Sequence, residues 1–290
     1  MAIIVISRGN LTRGKEVAGK TAEKLGYRCI SREVLLEASE EFNVPEIKLI
    51  QSIDQVPSFF DRMSQKAKKY VTYIQSALLH NLQQGNVVYH GFAGHFFVQD
   101  NPHVIKVRVN SGMSDRVRLV MERDGVSEKQ ALAFLKKIDA LRKKWSRKLY
   151  GMDPEDSSHY DLVVLLSRLT VEDAADLICQ AARLQQFSST SESKKIMDDM
   201  VLAADARTLL LGMKSNPKVW ARDGVLYVRK GGSGGQDQEL VKKLGELAEK
   251  LPEARGIELL REKGNRLEVG VSVGRRKATS DVAATFFGEL

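Results

Sequence analysis

A chain of 290 residues, 43% hydrophobic and 28% charged, is long enough for one domain of roughly 150 to 200 residues plus a smaller one, and apolar enough for both to have a core. Its formal net charge of +8 suits anionic ligands, but no basic–aromatic platform or helix-turn-helix pattern goes with it, which argues against nucleic acid as a partner. Two cysteines, Cys29 and Cys179, lie outside any CxxC or Cys/His ligand spacing; a zinc site is not expected, and each reads as a small buried apolar residue.

The N-terminus has no basic segment ahead of its short apolar run, so it reads as a core strand instead of a signal peptide. No apolar stretch reaches the roughly 20 residues of a membrane span, and a cytoplasmic protein is expected. Ile3-Ile4-Val5-Ile6 is a continuous β-branched run suited to a parallel strand buried on both faces. A polar, glycine-containing loop follows. Residues 15–25 then form an amphipathic helix with Val17, Ala18, Ala22 and Leu25 on one side and Gly26 as its stop. Ser31 caps a second helix carrying Val34, Leu35 and Ala38. Residues 45–84 read as mostly helical, most clearly over 66–82, where Tyr70, Tyr73, Ile74, Ala77, Leu78 and Leu82 recur at threes and fours.

Val87-Val88-Tyr89 is a second strand ending at His90-Gly91, 104–109 a third, and 162–166 a fourth. Helices rich in Arg and Lys fill 114–123 and 127–150, and Thr170 caps a helix through Leu184. Alternating β-branched runs and amphipathic helices predict an α/β fold, a parallel sheet flanked by helices. This first domain is placed at 1–187, a polar linker at 188–195, a small α+β domain at 196–274 and a tail at 275–290. In the small domain a helix spans 196–214, and strands at 219–221 and 225–228 flank a hairpin signal at Asp223-Gly224. A helix at 239–251 and strands at 257–260 and 267–273 follow.

The chemistry concentrates after the first strand. Gly9, Asn10, Leu11, Thr12, Arg13, Gly14 and Lys15 fit GxxxxGK, a phosphate-binding loop. Glycines there let backbone N–H groups turn toward phosphate oxygens, the lysine reaches the outer phosphates, and the next helix presents its positive end. Where Ser or Thr would ligate Mg²⁺, the chain has Glu16, whose carboxylate would repel phosphate if it pointed inward.

Ile6-Ser7-Arg8 followed by Gly14-Lys15-Glu16-Val17-Ala18 resembles the opening of the cytidylate kinase-like proteins, P-loop nucleoside monophosphate kinases in which Glu is usual at that position. The resemblance runs on through Arg116, Glu122-Arg123-Asp124-Gly125-Val126-Ser127, Asp139, Arg142, Tyr160-Asp161-Leu162-Val163 and Thr170-Val171-Glu172-Asp173, covering about residues 1–185. It implies a P-loop kinase-like fold and phosphoryl transfer from ATP, with Mg²⁺, to a nucleoside monophosphate such as CMP. It makes the loop the ATP site and the basic helix bearing Asp139, Arg142, Lys143 and Arg147 the lid. Lys15, Arg142 and Arg147 are the candidate catalytic cations, and Arg32, Gly91, Phe92 and Asp139 the candidate acceptor-site residues.

The departures have consequences. Leu11-Thr12-Arg13 replaces a small Gly-Ser-Gly, and His90-Gly91-Phe92-Ala93-Gly94 replaces a Gly-Arg-Gly whose arginine engages the acceptor phosphate. His90 and His95 flank that position and read as structural. A nucleotide-binding regulator without kinase turnover is therefore the alternative. Ala203 to Lys214, Asp223 to Val228, 238–251 and Ala254 to Glu258 resemble a BON-type domain, a small α+β binding module, which implies a protein or ligand partner for this end of the chain.

Overall fold

The computed structural model describes residues 2–9, 13–31, 34, 38, 40–41, 64–91, 94–213, 217–230, 237–263 and 266–273. Asn10, Leu11, Thr12, Arg32, Leu35, Phe92, residues 45–63 of the helical reading at 45–84 and the 275–290 tail lie outside the described residues. The chain divides into two compact units, Met1–Ser193 and Lys194–Leu290. Among the described residues, no helix is long and apolar enough to cross a membrane.

The first unit is built on strands β1 (Ile3–Arg8), β2 (Arg28–Ile30), β3 (Val87–Gly91), β4 (Val104–Asn110) and β5 (Leu162–Leu165). All pair in parallel, in the order β2-β3-β1-β4-β5, which puts β1 at the centre. Its β-branched residues suit that position: Ile4 and Ile6 pack with Val88, Ile105, Val107 and Val109 on one face, while Ile3 and Val5 are equally buried on the other. The first face is covered by Val17, Ala18 and Ala22 of α1 (Gly14–Leu25) and by Ala174 and Ile178 of α5 (Val171–Ala182). Helix α2 (Ser64–Gln83) packs on β3. Helices α3 (Met113–Asp124) and α4 (Glu128–Tyr150) pack together through Val117, Val120, Ala131 and Leu135. Burying each Val, Ile or Leu among these stabilises the unit by roughly 1.5 to 3 kcal/mol.

Local signals set the helix ends. Gly26 and Gly125 take left-handed conformations at the C-termini of α1 and α3, and Ser127 and Gln130 form a capping box at the start of α4. Thr170 and Asp173 do the same for α5.

Three expectations need correction. The sheet has five strands, not four: Arg28–Ile30 is a three-residue edge strand with two exposed positions, too short and too polar to show as a run. Cys29, on that edge, is exposed, whereas Cys179 is buried against α1 as expected. The helix expected from 196 starts at Ser191, because Thr190 Oγ1 accepts from the Ser193 amide at 3.0 Å while Ser193 Oγ accepts from the Thr190 amide at 2.9 Å.

The second unit contains α6 (Ser191–Leu209, which enters it after its first turn), β6 (Lys218–Arg222), β7 (Val225–Arg229), α7 (Asp237–Lys250), β8 (Gly256–Lys263) and β9 (Arg266–Val273). Its sheet runs β6-β7-β8-β9, with β7 and β8 parallel and α7 as their crossover. The β6–β7 hairpin turns at Asp223 (φ 51°) and Gly224 (φ 77°), both left-handed, as the Asp-Gly pair predicts. The Asp199 carboxylate fixes that turn by accepting from the Asp223 and Gly224 amides, each at 2.7 Å. Leu226, Val228, Leu240, Leu244, Ile257 and Leu259 are central to the core of this unit.

Replacing Thr170 with Ala removes the hydroxyl half of the α5 capping box, leaving the Thr170 amide bonded to Asp173, and is expected to cost about 1 kcal/mol. A fall in the urea midpoint of the first unit's transition, with its slope unchanged, checks this.

Candidate active site

β1 ends beside β3 and β4, and the loop after it begins at that junction. Ser7 lies opposite Gly91 on one side and Arg108 on the other, and the Gly9 amide donates to the Val109 carbonyl at 3.3 Å. After the loop, α1 starts at Gly14, and the side chain of Arg13 makes no capping hydrogen bond to it. Lys15 is exposed and engages no partner among the described residues. Glu16 instead binds Arg13, with Nε to carboxylate contacts of 3.0 and 3.1 Å. The pair is more than half exposed; hydrogen bonding to Arg13 lowers the Glu16 pKa, and the same bond raises that of Arg13. The loop therefore keeps a free cation at Lys15, while its acid and its second cation neutralise each other.

Behind the loop lies a buried polar cluster. The Tyr160 hydroxyl is 2.9 Å from His95 Nε2, 2.8 Å from the Pro154 carbonyl, 3.2 Å from Arg108 Nη1 and 3.4 Å from Ser7 Oγ. Arg108 also donates to the Pro154 carbonyl. A phenol has one proton to give, so the bonds close when Tyr160 donates to Pro154 and accepts from both Arg108 and His95. Burial, followed by the charges of Arg108, His159 and Lys106, lowers the His95 pKa well below its ordinary value and keeps the ring neutral. In the glycine turn next to His95, the Tyr89 side chain lies where a Cβ on Gly91 or Gly94 would sit, 2.3 Å away in each case.

On α4 two of the cations, Lys143 and Arg147, are already matched. Lys143 pairs with Glu155 at 2.5 Å and Asp153 at 3.1 Å, and Arg147 with Asp153 at 2.7 Å. Asp153 is partly desolvated, which opposes ionisation, but the Glu155 amide and these two cations outweigh that and lower its pKa. Arg116 of α3 grips Asp139 of α4 in a bidentate pair of 2.8 and 2.9 Å. Arg142 is half-buried on α4.

The sequence model of the Cytidylate kinase-like family matches residues 3–168, which contain all of these groups. The chain belongs to that family. It is 27% identical over 165 residues to the cytidylate kinase of Ignicoccus hospitalis, spanning 57% of this chain and 89% of that protein. It is 29% identical over 182 residues to the cytidylate kinase of Staphylothermus marinus, spanning 61% and 94%. The solved structure of an uncharacterized protein from Eubacterium ventriosum aligns with 62% of this chain and 97% of its own at 25% identity, with a TM-score of 0.48.

Within this cytidylate kinase-like chain, the structure places Gly9, Arg13, Gly14, Lys15 and Glu16 around the start of α1, and Gly91 beside Ser7. Asp139, Arg142 and Arg147 share α4, with Asp139 committed to Arg116 and Arg147 to Asp153. Sequence reasoning passed over Arg108, Asp153 and Glu155. Arg108 had a visible signal: with Lys106, it interrupts an otherwise β-branched strand. The acids at 153 and 155 had none, since only the fold brings that loop back against α4.

His95 makes stability depend on pH. The unfolded imidazole takes a proton below about pH 6.5, whereas the folded one resists until well below that, so stability is lost as pH falls through 6.5, at up to about 1.4 kcal/mol per pH unit. Urea midpoints at pH 7 and pH 5 are expected to differ less in His95→Gln than in the wild type.

Proposed function

We propose that this protein transfers the terminal phosphoryl group of ATP to the phosphate of a nucleoside monophosphate, with CMP the first acceptor to test. The observation that carries the reading is Lys15, exposed in the first turn of α1 and without a partner among the described residues, in a chain of the cytidylate kinase-like family. The loop amides and Lys15 would hold the ATP phosphates. An acceptor phosphate oxygen attacks the γ-phosphorus, the bond to the bridging β–γ oxygen breaks, and ADP leaves. Negative charge spreads over the moving group, and Lys15, Arg142 and Arg147 are the cations proposed to meet it.

For Arg147 this requires an exchange of partners, since Asp153 holds it at rest. Exposed ion pairs of this kind are worth roughly 0 to 1 kcal/mol, so a polyphosphate competes with them readily. Asp139 is proposed to act from its bond with Arg116, orienting α4 against α3. Gly91, with Arg32 and Phe92 on segments outside the described residues, completes the proposed acceptor side. Mg²⁺ normally travels with ATP, held by phosphate oxygens and water. Glu16 is bound to Arg13, and no group of three acidic, His or Cys side chains among the described residues is placed to hold a metal, so no protein ligand is assigned to the ion.

A second reading, a nucleotide-binding regulator without turnover, is favoured by the pairing of Lys143 and Arg147 with Asp153 and Glu155. In either case the second unit, with its α–β–β–α–β–β order, is proposed to be a BON-like binding module for a ligand or protein.

Calorimetric titration with ATP is expected to show one site per chain, weakened about tenfold or more by Lys15→Ala. Release of ADP coupled to a panel of nucleoside monophosphates decides between the two readings. ADP release with an acceptor supports the kinase; ATP binding with no acceptor-dependent release supports the regulator. No ATP binding at all removes both.

A further inference from the structure

Most cations around the site have an acid to answer them: Arg13 has Glu16, Lys106 has Asp161, Arg116 has Asp139, and Lys143 and Arg147 share Asp153. Arg108 has none. Its partners among the described residues are the Pro154 carbonyl, the Tyr160 hydroxyl at 3.2 Å and the Tyr160 ring, 5.6 Å from the guanidinium carbon to the centroid, all of them neutral. Both hydrogen bonds use Nη1, so the Nε–Nη2 edge has no acceptor among the described residues. Those two parallel donors have the spacing that matches two oxygens of a phosphate.

A half-buried guanidinium without a counter-charge bears a desolvation cost that neutral acceptors only partly offset. His95 does not change the balance, because it is neutral and fully buried. The position is also specific. Arg108 lies directly opposite Ser7 in the β1–β4 register, and the Tyr160 hydroxyl that holds it comes within 3.4 Å of Ser7 Oγ, two residues ahead of Gly9. Pro154 and Tyr160 thus hold a cation at the end of the sheet from which the chain leaves β1.

We propose that Arg108 is a phosphate-binding residue that receives the phosphate monoester of the acceptor through its Nε–Nη2 edge. Assigning that oxyanion to the acceptor rests on the kinase reading; the oxyanion site itself does not. Arg108 is a binding residue here, and Tyr160 and Pro154 position it.

The test is calorimetry on the full-length chain with CMP, cytidine, inorganic phosphate and ATP as separate titrants, for the wild type, Arg108→Met, Arg108→Lys and Tyr160→Phe. In Arg108→Met, CMP binding is expected to weaken about tenfold or more and ATP binding to change less than about twofold, while cytidine is unaffected. Arg108→Lys restores part of the CMP affinity, because it returns the charge without the fork. Tyr160→Phe keeps the cation and is expected to stay within a few-fold of the wild type, which separates phosphate binding from a purely structural role. Competition by inorganic phosphate against CMP shows a shared site; phosphate binding that depends on Arg108 without CMP binding keeps the oxyanion site and removes its assignment to an acceptor. Wild-type affinities for CMP and phosphate in Arg108→Met overturn the proposal, as does equal loss of ATP and CMP binding. Should Arg108→Met fail to fold, Arg108→Lys and Tyr160→Phe carry the test: CMP affinity lower in Tyr160→Phe than in Arg108→Lys overturns it. ATP binding by a wild type that takes up neither CMP nor phosphate overturns it too, and leaves the Lys15 loop standing.

Discussion

The pairing of β1 with β3 on one side and β4 on the other is the constraint on which the loop-bearing end of the first unit depends. A strand buried on both faces cannot slip register without moving Ile4 and Ile6 out of one core layer and Ile3 and Val5 out of the other. Ser7 is therefore fixed opposite Gly91 and Arg108, and the loop after Arg8 must leave the sheet between the ends of β3 and β4. The buried hydroxyl of Tyr160 adds a cross-link at the same level, joining β1, β4 and the turn containing His95. The apolar core sets where the chain emerges, and the polar cluster sets how its first side chains face.

That frame gives the charges around it different meanings. Glu16 looks harmful beside a phosphate loop, but it is exposed and spent on Arg13, so both charges are withdrawn from the local balance and Lys15 is left free. The loop from Asp153 to Glu155 works in two directions at once. Its carboxylates hold Lys143 and Arg147 of α4, while the carbonyl of Pro154 between them takes hydrogen bonds from Arg108 and Tyr160 at the sheet. Helix α4 and strand β4 are thus tied through three consecutive residues. Ion pairs on the exposed side are weak and exchangeable; hydrogen bonds on the buried side are costly to leave unmade. The asymmetry makes α4 the side free to change partners and β4 the side that stays.

Much of this frame was legible in the sequence, and the limits are physical. Ile3-Ile4-Val5-Ile6 announces a central strand because only β-branched residues fill both faces of a parallel sheet, and Thr170 and Ser127 announce helix starts because capping is a local interaction. Asp223-Gly224 likewise identifies its hairpin. Arg28–Ile30 escapes because an edge strand borrows its stability from the neighbour it pairs with and needs no apolar run of its own. Ser191 escapes because a polar stretch reads as linker until Thr190 and Ser193 are seen to cap each other. The candidate site divides the same way: a glycine loop followed by Lys15 is contiguous and readable, whereas the pairing of Asp139 with Arg116, 23 residues apart, requires the packed helices.

Arg108 shows why such a residue is easily passed over. In the sequence it is one basic residue among 45, and its one mark is that, with Lys106, it interrupts the β-branched run of its strand. Its meaning lies in a comparison that only coordinates allow, namely which cations have acids beside them. Arg116 is more deeply buried and as basic, but Asp139 cancels it; Lys106, two residues from Arg108 on the same face of the strand, is answered by Asp161. Beside these paired neighbours Arg108 has a phenol and a carbonyl as its hydrogen-bond partners and no acid among the described residues, and the proposal gives its charge an anion from outside the chain. The order of the strands then decides where an anion would meet it, at the end of β4, across from Ser7 and next to the loop that follows.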